Sequence, residues 1–162
     1  MKTYKAYGFT LIELSIVLVI IGLIVGGVVG GKDLIRSAKV RSIITSINKL
    51  ETAYRVFIDK YDAPPGDMKT ASSYWSSATN GNGDGLIYGD FTESFYASQH
   101  LGLAGLVEGS YSGSGTSYDI GINTIPTKIS GVGIYLRYTT SAQFGKIANH
   151  IRLGSRGNSS PN

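Results

Sequence analysis

Cysteine is absent from this 162-residue chain. That excludes disulfides, thiolate metal centres and cysteine nucleophiles. Histidine is scarce: His100 and His150 are too few for a multi-histidine metal centre and read as surface or hydrogen-bonded residues. There is no G-x-S-x-G elbow, no P-loop and no G-x-G-x-x-G. Asp62, Asp67, Asp84, Asp90 and Glu93 supply carboxylates, but no pattern pairs them for acid–base work. An enzyme is not the expectation. Acid is missing from residues 128–162, which carry five basic groups, and residues 9–31 hold one charge, Glu13. The length allows one domain with an appendage, not a two-domain catalytic cleft.

What is plentiful is glycine, 22 residues, about twice the usual ~7%, and one long apolar run. Residues 9–31 read FTLIELSIVLVIIGLIVGGVVGG. As a helix they reach roughly 34 Å, enough for a bilayer core of ~30 Å. A secretory signal would end in a small-residue cleavage site and a soluble start. Here the run continues into Lys32 and then into apolar residues at 40, 43, 44, 47, 50, 54, 57, 58 and 61, the spacing of an amphipathic helix. One helix is therefore expected over about 9–61, stopped by Asp62-Ala-Pro-Pro-Gly. Its second half needs a partner, and residues 62–162 are the candidate. In that remainder the pattern predicts a polar loop at 76–89 and a helix over about 91–105 opened by a capping arrangement Asp90-Phe-Thr-Glu93. A Gly/Ser/Tyr loop follows at 109–119. A strand is expected at 129–139, with Val132, Ile134, Leu136 and Tyr138 on one face. Residues 143–153 read equally as helix or strand. The fold class is α+β, a long N-terminal helix packed on a small antiparallel β-sheet head.

Glu13 is out of place. A carboxylate in hydrocarbon costs about 2.5–3.5 kcal/mol on insertion scales, and it calls for a positive partner that the apolar run lacks. A second copy could offer one if its own chain began with a free amine at Phe9. Lys5-Ala-Tyr-Gly8 followed by Phe9-Thr-Leu-Ile-Glu13-Leu and an unbroken apolar stretch resembles the N-terminus of type IV pilins and type II secretion pseudopilins. The resemblance covers about residues 5–30. It implies a leader, residues 1–8, cut after Gly8 by a prepilin peptidase, which also methylates the new Phe9 amine. It implies that Glu13 pairs with the Phe9 amine of a neighbouring subunit in a helical homo-oligomeric filament. Further implied partners are membrane lipid before assembly, an inner-membrane assembly platform and minor pilins. The precursor would sit in the bacterial inner membrane with its head periplasmic or external, the product in an extracellular pilus or a periplasmic pseudopilus. The implied domains are the leader 1–8, the helix 9–61 and the head 62–162. A third reading, from another class, is a single-span membrane-anchored binding module.

Gly22, Gly26, Gly27, Gly30 and Gly31 form GxxxG pairs at 22/26, 26/30 and 27/31. They suit close helix–helix approach, a helix weakened so that it stretches, or small residues facing lipid. Asn80-Gly-Asn82-Gly-Asp84-Gly-Leu86 resembles the first part of a calcium loop, with oxygens at alternate positions and the Leu86 carbonyl next. Phe91 stands where the closing carboxylate belongs, so Asp90 or Glu93 would have to substitute. The competing reading is an Asn-Gly/Asp-Gly turn. Some pseudopilins without cysteine use calcium in the head, so Ca²⁺ is the one cofactor the resemblance brings in.

Charge is segregated. Residues 32–60 carry seven basic groups against three acidic, and residues 61–127 carry Lys69 against seven acids. A self-associating subunit can use such a division, and so can an ordinary solvated surface. The basic residues have no nucleic-acid motif around them, so nucleic acid is at most a secondary partner. Lys2 and Lys5 precede the apolar run, whereas Lys32, Arg36, Lys39 and Arg41 follow it. A positive-inside count puts the C-terminal part in the cytoplasm; the resemblance implies the opposite side.

Overall fold

A computed structural model describes residues 8–88, 92–139 and 148–155. Two compact units divide between Val40 and Arg41. The first unit is helix. α1 (Leu11–Tyr61) begins here, and every residue from Phe9 to Gly30 is exposed. An apolar surface on all sides cannot be stable in water. This part of α1 is long and apolar enough to cross a membrane.

The second unit begins with the amphipathic part of α1. Leu50, Ala53 and Phe57 are its buried residues, and Tyr54, Ile58 and Tyr61 are half-buried beside them. The spacing is that of one helical face, as the sequence predicts. α1 stops where expected. Asp62 adopts φ 53°, a left-handed position that Asp tolerates better than most residues, and Pro64 and Pro65 cannot continue the helix. A short α2 (Ala71–Tyr74) was not signalled by periodicity, because four residues are too few for one. α3 (Glu93–Leu103) falls inside the helix expected at 91–105.

The sheet is antiparallel, β1 (Ile125–Pro126), β2 (Val132–Thr139) and β3 (Ala148–Ser155), in the order β1-β2-β3. β2 and β3 pair over their full lengths, with Ile134 opposite Leu153 and Leu136 opposite Ile151. β2 confirms the expected strand, and β3 resolves as strand the second part of the ambiguous stretch; residues 143–147 lie outside the described residues. The alternation in β2 is only half the account. Ile134 and Leu136 join the main core with Leu50 and Phe57. Tyr135, on the other face, is buried as well, stacked 4.1 Å from the Tyr118 ring, which meets Phe95 of α3 edge-on. β2 is the middle strand with side chains covering both faces, so a one-face reading misses Tyr135.

The capping arrangement at α3 needs correction. Thr92 is the N-cap residue, and its side chain makes no capping bond; Asp90 and Phe91 lie outside the described residues. The Glu93 carboxylate turns instead to the loop before the helix, as described below.

Candidate functional site

The first candidate lies at the start of α1. The Thr10 N–H donates to Glu13 Oε2 at 2.8 Å, and the Thr10 hydroxyl donates to the same oxygen at 2.7 Å. The Glu13 N–H points back at Thr10 Oγ1, 3.3 Å away. This is a reciprocal capping box, Thr-x-x-Glu, which satisfies donors that the first turn leaves open. Glu13 thus has a neutral partner in its own chain, a bond that the sequence reading did not name, and the positive partner it calls for is still to come from elsewhere. The signal was present as Thr10 three residues before Glu13. The cap fixes the carboxylate at the helix start, on the N–H and hydroxyl of Thr10, and the preceding residue, Phe9, is 85% exposed. Oε1 has no hydrogen bond among the described residues. An ammonium group brought to that exposed oxygen would find a preset acceptor.

Beyond Glu13 the glycines leave open surface. Nothing lies within 4 Å of where a Cβ would stand on Gly22, Gly26, Gly27, Gly30 or Gly31. The helix runs through all five without interruption. Gly8 likewise meets nothing within 4 Å.

The second candidate is the loop 80–88. Asp67 is the residue that organises it; the sequence offers it only as one of five carboxylates that no pattern pairs. Asp67 is 1% exposed. One of its carboxylate oxygens accepts the N–H groups of Gly83 at 2.5 Å and Asp84 at 3.0 Å; the other accepts that of Gly85 at 2.7 Å. Glu93 does the same from α3. Its oxygens accept the N–H of Asn82 at 3.1 Å and of Tyr88 at 2.6 Å. Charge-assisted bonds to backbone N–H groups are among the stronger kinds. Glycine is required for this wrapping. A Cβ on Gly81 would stand 2.4 Å from the Asp67 backbone, and Gly83 adopts φ 72° with the Lys69 stem across it.

Asn149 of β3 fastens the far end of the loop. Its amide oxygen accepts the Ile87 N–H at 2.8 Å, and its amide nitrogen donates to the Gly85 carbonyl and the Tyr54 hydroxyl.

The loop brings together carboxylate oxygens of Asp67, Asp84 and Glu93, all within 4.8 Å of one another. Hard oxygen donors at this separation suit a cation whose bonds are ~2.3–2.6 Å. Asp84 is one residue of the expected calcium set, and Glu93 is one of the two expected substitutes. Both asparagine side-chain oxygens are taken up by backbone donors. Asn80 Oδ1 accepts the Ser72 N–H, Asn82 Oδ1 accepts the Asp84 N–H, and the Leu86 N–H donates to Asp84. Burial pushes the Glu93 carboxyl above the usual carboxylate range, against the pull of its two N–H bonds, and the charges of Asp67 and Asp84 push the same way.

His100 is fully buried, stacked 6.1 Å from the Phe57 ring and 6.4 Å from Trp75. Its Nδ1 accepts the Gly66 N–H at 2.9 Å, and its Nε2 lies 2.7 Å from the Thr79 carbonyl. A carbonyl only accepts and an N–H only donates, so the neutral ring carries its proton on Nε2. This is the hydrogen-bonded role the sequence suggests. Burial lowers the His100 pKa.

Comparison with known proteins adds one match. Residues 4–29 fit the family model described as the prokaryotic N-terminal methylation motif. No curated protein and no solved structure matches the chain. The match spans Gly8, Phe9 and Thr10, which lead into α1, and Glu13 in its first turn. The chain carries the prepilin-type cleavage and methylation segment of type IV pilins and pseudopilins.

Proposed function

We propose that this chain is a structural subunit of a type IV pilus-like filament, made as a membrane-anchored precursor. Cleavage after Gly8 frees the Phe9 amine, which is then methylated. Glu13 pairs with the Phe9 amine of a neighbouring subunit as the helices gather. One observation carries this reading: the first 20 residues of α1 are apolar and exposed on every side, and their one carboxylate is preset on Thr10, the residue after Phe9. Such a surface needs lipid first and identical helices afterwards. The amine–carboxylate pair sets register more than net stability, because burying a charge pair is costly unless both partners are present. Methylation keeps the charge of the amine, so the pairing survives it.

The test is intact-mass analysis of sheared surface filaments. The expected species lacks residues 1–8 and carries one added methyl on Phe9. A filament subunit that retains Met1 would contradict the proposal. Retained Met1 with no filament would favour a monomeric anchored binding module.

A second reading is a pseudopilin of a type II secretion system, with the filament confined to the periplasm. It shares the N-terminus. The carboxylate trio in a chain without cysteine favours it, because a head without disulfides gains from a cation that ties Asp67, Asp84 and Glu93 together. Calcium would neutralise charge on three crowded carboxylates. Thermal melting with calcium and with chelator separates the cases. At ~100 times its dissociation constant a bound ion adds ~2.7 kcal/mol. Equal curves would leave the trio as a backbone anchor only.

A further inference from the structure

We infer that Lys32, Arg36 and Lys39 form a binding surface for anionic phospholipid headgroups, used while the subunit is still in the membrane. The inference rests on the membrane reading of α1, not on filament assembly. The three residues stand four and three positions apart on a continuous helix. At 100° per residue they fall within about 60° of one another and extend about 10 Å along the axis. All three side chains are exposed. None makes an ion pair or hydrogen bond with another side chain among the described residues.

Their depth points to lipid. From Leu11 to Gly31 the helix measures about 31 Å, the thickness of a bilayer's hydrocarbon core. Lys32 is the next residue, so the stripe begins in the headgroup layer. Lys39 and Arg36 have stems long enough to reach back toward that layer. Phosphate diesters suit both residue types, Lys as a compact charge and Arg as a planar fork.

A second copy of the chain is the competing occupant, and the sequence argues against it at this stage. Copies inserted the same way present like charges at like depth. Between Glu13 and Glu51 the chain has a single acid, Asp33. A neighbour at equal depth would offer repulsion, whereas an anionic leaflet relieves it. The basic residues that a positive-inside count cannot accommodate thereby acquire a role on the side where the resemblance puts them.

The test uses the full chain reconstituted in phosphatidylcholine vesicles with a trace of spin-labelled phosphatidylglycerol or spin-labelled phosphatidylcholine. Electron paramagnetic resonance reads the fraction of each label held at the protein. Retention through an alkaline carbonate wash reports on the membrane span separately. The expected result is a preference for phosphatidylglycerol of about fivefold, the scale one surface cation gives. It should fall toward parity in Lys32→Gln/Arg36→Gln/Lys39→Gln, and in the wild type at about 1 M salt, where screening acts within ~3 Å. Gln is nearly as good a helix former as Lys and Arg, so circular dichroism should match. Lys49→Gln, ten residues past the stripe, should keep the preference. A preference that survives the triple substitution would overturn the inference. So would equal association of both labels with the wild type, and oligomers lost in the triple variant would then assign the stripe to another copy. A protein washed out by carbonate would refute the membrane span itself.

Discussion

One helix lives in two environments. Up to Gly30 no residue of α1 is buried, although nearly all are apolar. From Leu50 to Phe57 the same helix buries Leu50, Ala53 and Phe57 in a core. The apolar content alone does not distinguish the halves; its distribution does. Where apolar residues recur on one face, the chain supplies their partner. Where they cover all faces, the partner must come from outside. Substitutions in the second half should therefore act on folding, and those in the first half on insertion and assembly.

The largest effect on folding is expected at Phe57. Its ring is fully buried, 4.6 Å from that of Tyr61 and stacked near Trp75 and His100. Phe57→Ala should cost about 3–5 kcal/mol, read by denaturant unfolding of the full chain in detergent with Trp75 fluorescence as probe. A cost under ~1 kcal/mol would mean that this part of α1 does not belong to the core.

Asp67→Asn comes next. Its single remaining carbonyl oxygen cannot serve three backbone N–H groups, and the charge is lost. A destabilisation of about 1–3 kcal/mol is expected, with faster hydrogen exchange at Gly83, Asp84 and Gly85. If exchange there stays unchanged, the buried carboxylate is not what holds the loop.

A smaller, pH-dependent effect follows from two groups of opposite sign. His100 has a lowered folded pKa, so below its unfolded value of ~6.5 the unfolded chain binds more protons. Its contribution is present above that pH and is lost as pH falls toward the folded pKa. Glu93 has a raised folded pKa. Its contribution is full below the unfolded value of ~4.3 and is lost as pH rises through the folded pKa. Unfolding free energies of His100→Gln and Glu93→Gln across pH 4–8 should flatten opposite slopes relative to wild type. Identical slopes in both variants would contradict the assignment.

The smallest effect is expected from Leu23→Ala, exposed in the first half. Head stability should change by no more than ~0.5 kcal/mol, whereas filament yield should fall. A cost as large as that of Phe57→Ala would erase the contrast between the halves.

Much of this was legible in the sequence, and the failures have physical causes. Helix α1 and its stop were readable because 3.6-residue periodicity and the two prolines are local signals. The N-terminal motif that holds Gly8, Phe9 and Glu13 was readable because its spacing is local too. Thr10 is equally local, three residues before Glu13 in the Thr-x-x-Glu spacing of a capping box. Asp67 was not legible. It lies 16 residues before Gly83, and what joins them is a turn whose geometry no local pattern encodes. Tyr135 gave no signal of its burial, because alternation marks one covered face and β2 has two. Asn149 gave no warning, since its hold on the loop joins residues 62 and 64 positions apart.

In the proposed function Glu13 governs assembly and leaves the head's folding alone, a separation of roles within one chain. It is tested most directly by Glu13→Ala, with two readings from one preparation: filaments in the sheared fraction, and thermal melting of the membrane-extracted subunit. An unpaired charge at each subunit contact typically costs about 3–5 kcal/mol. The expected result is a normal amount of precursor, an unchanged head melting temperature and few or no filaments. Abundant, normally ordered filaments from Glu13→Ala would contradict it.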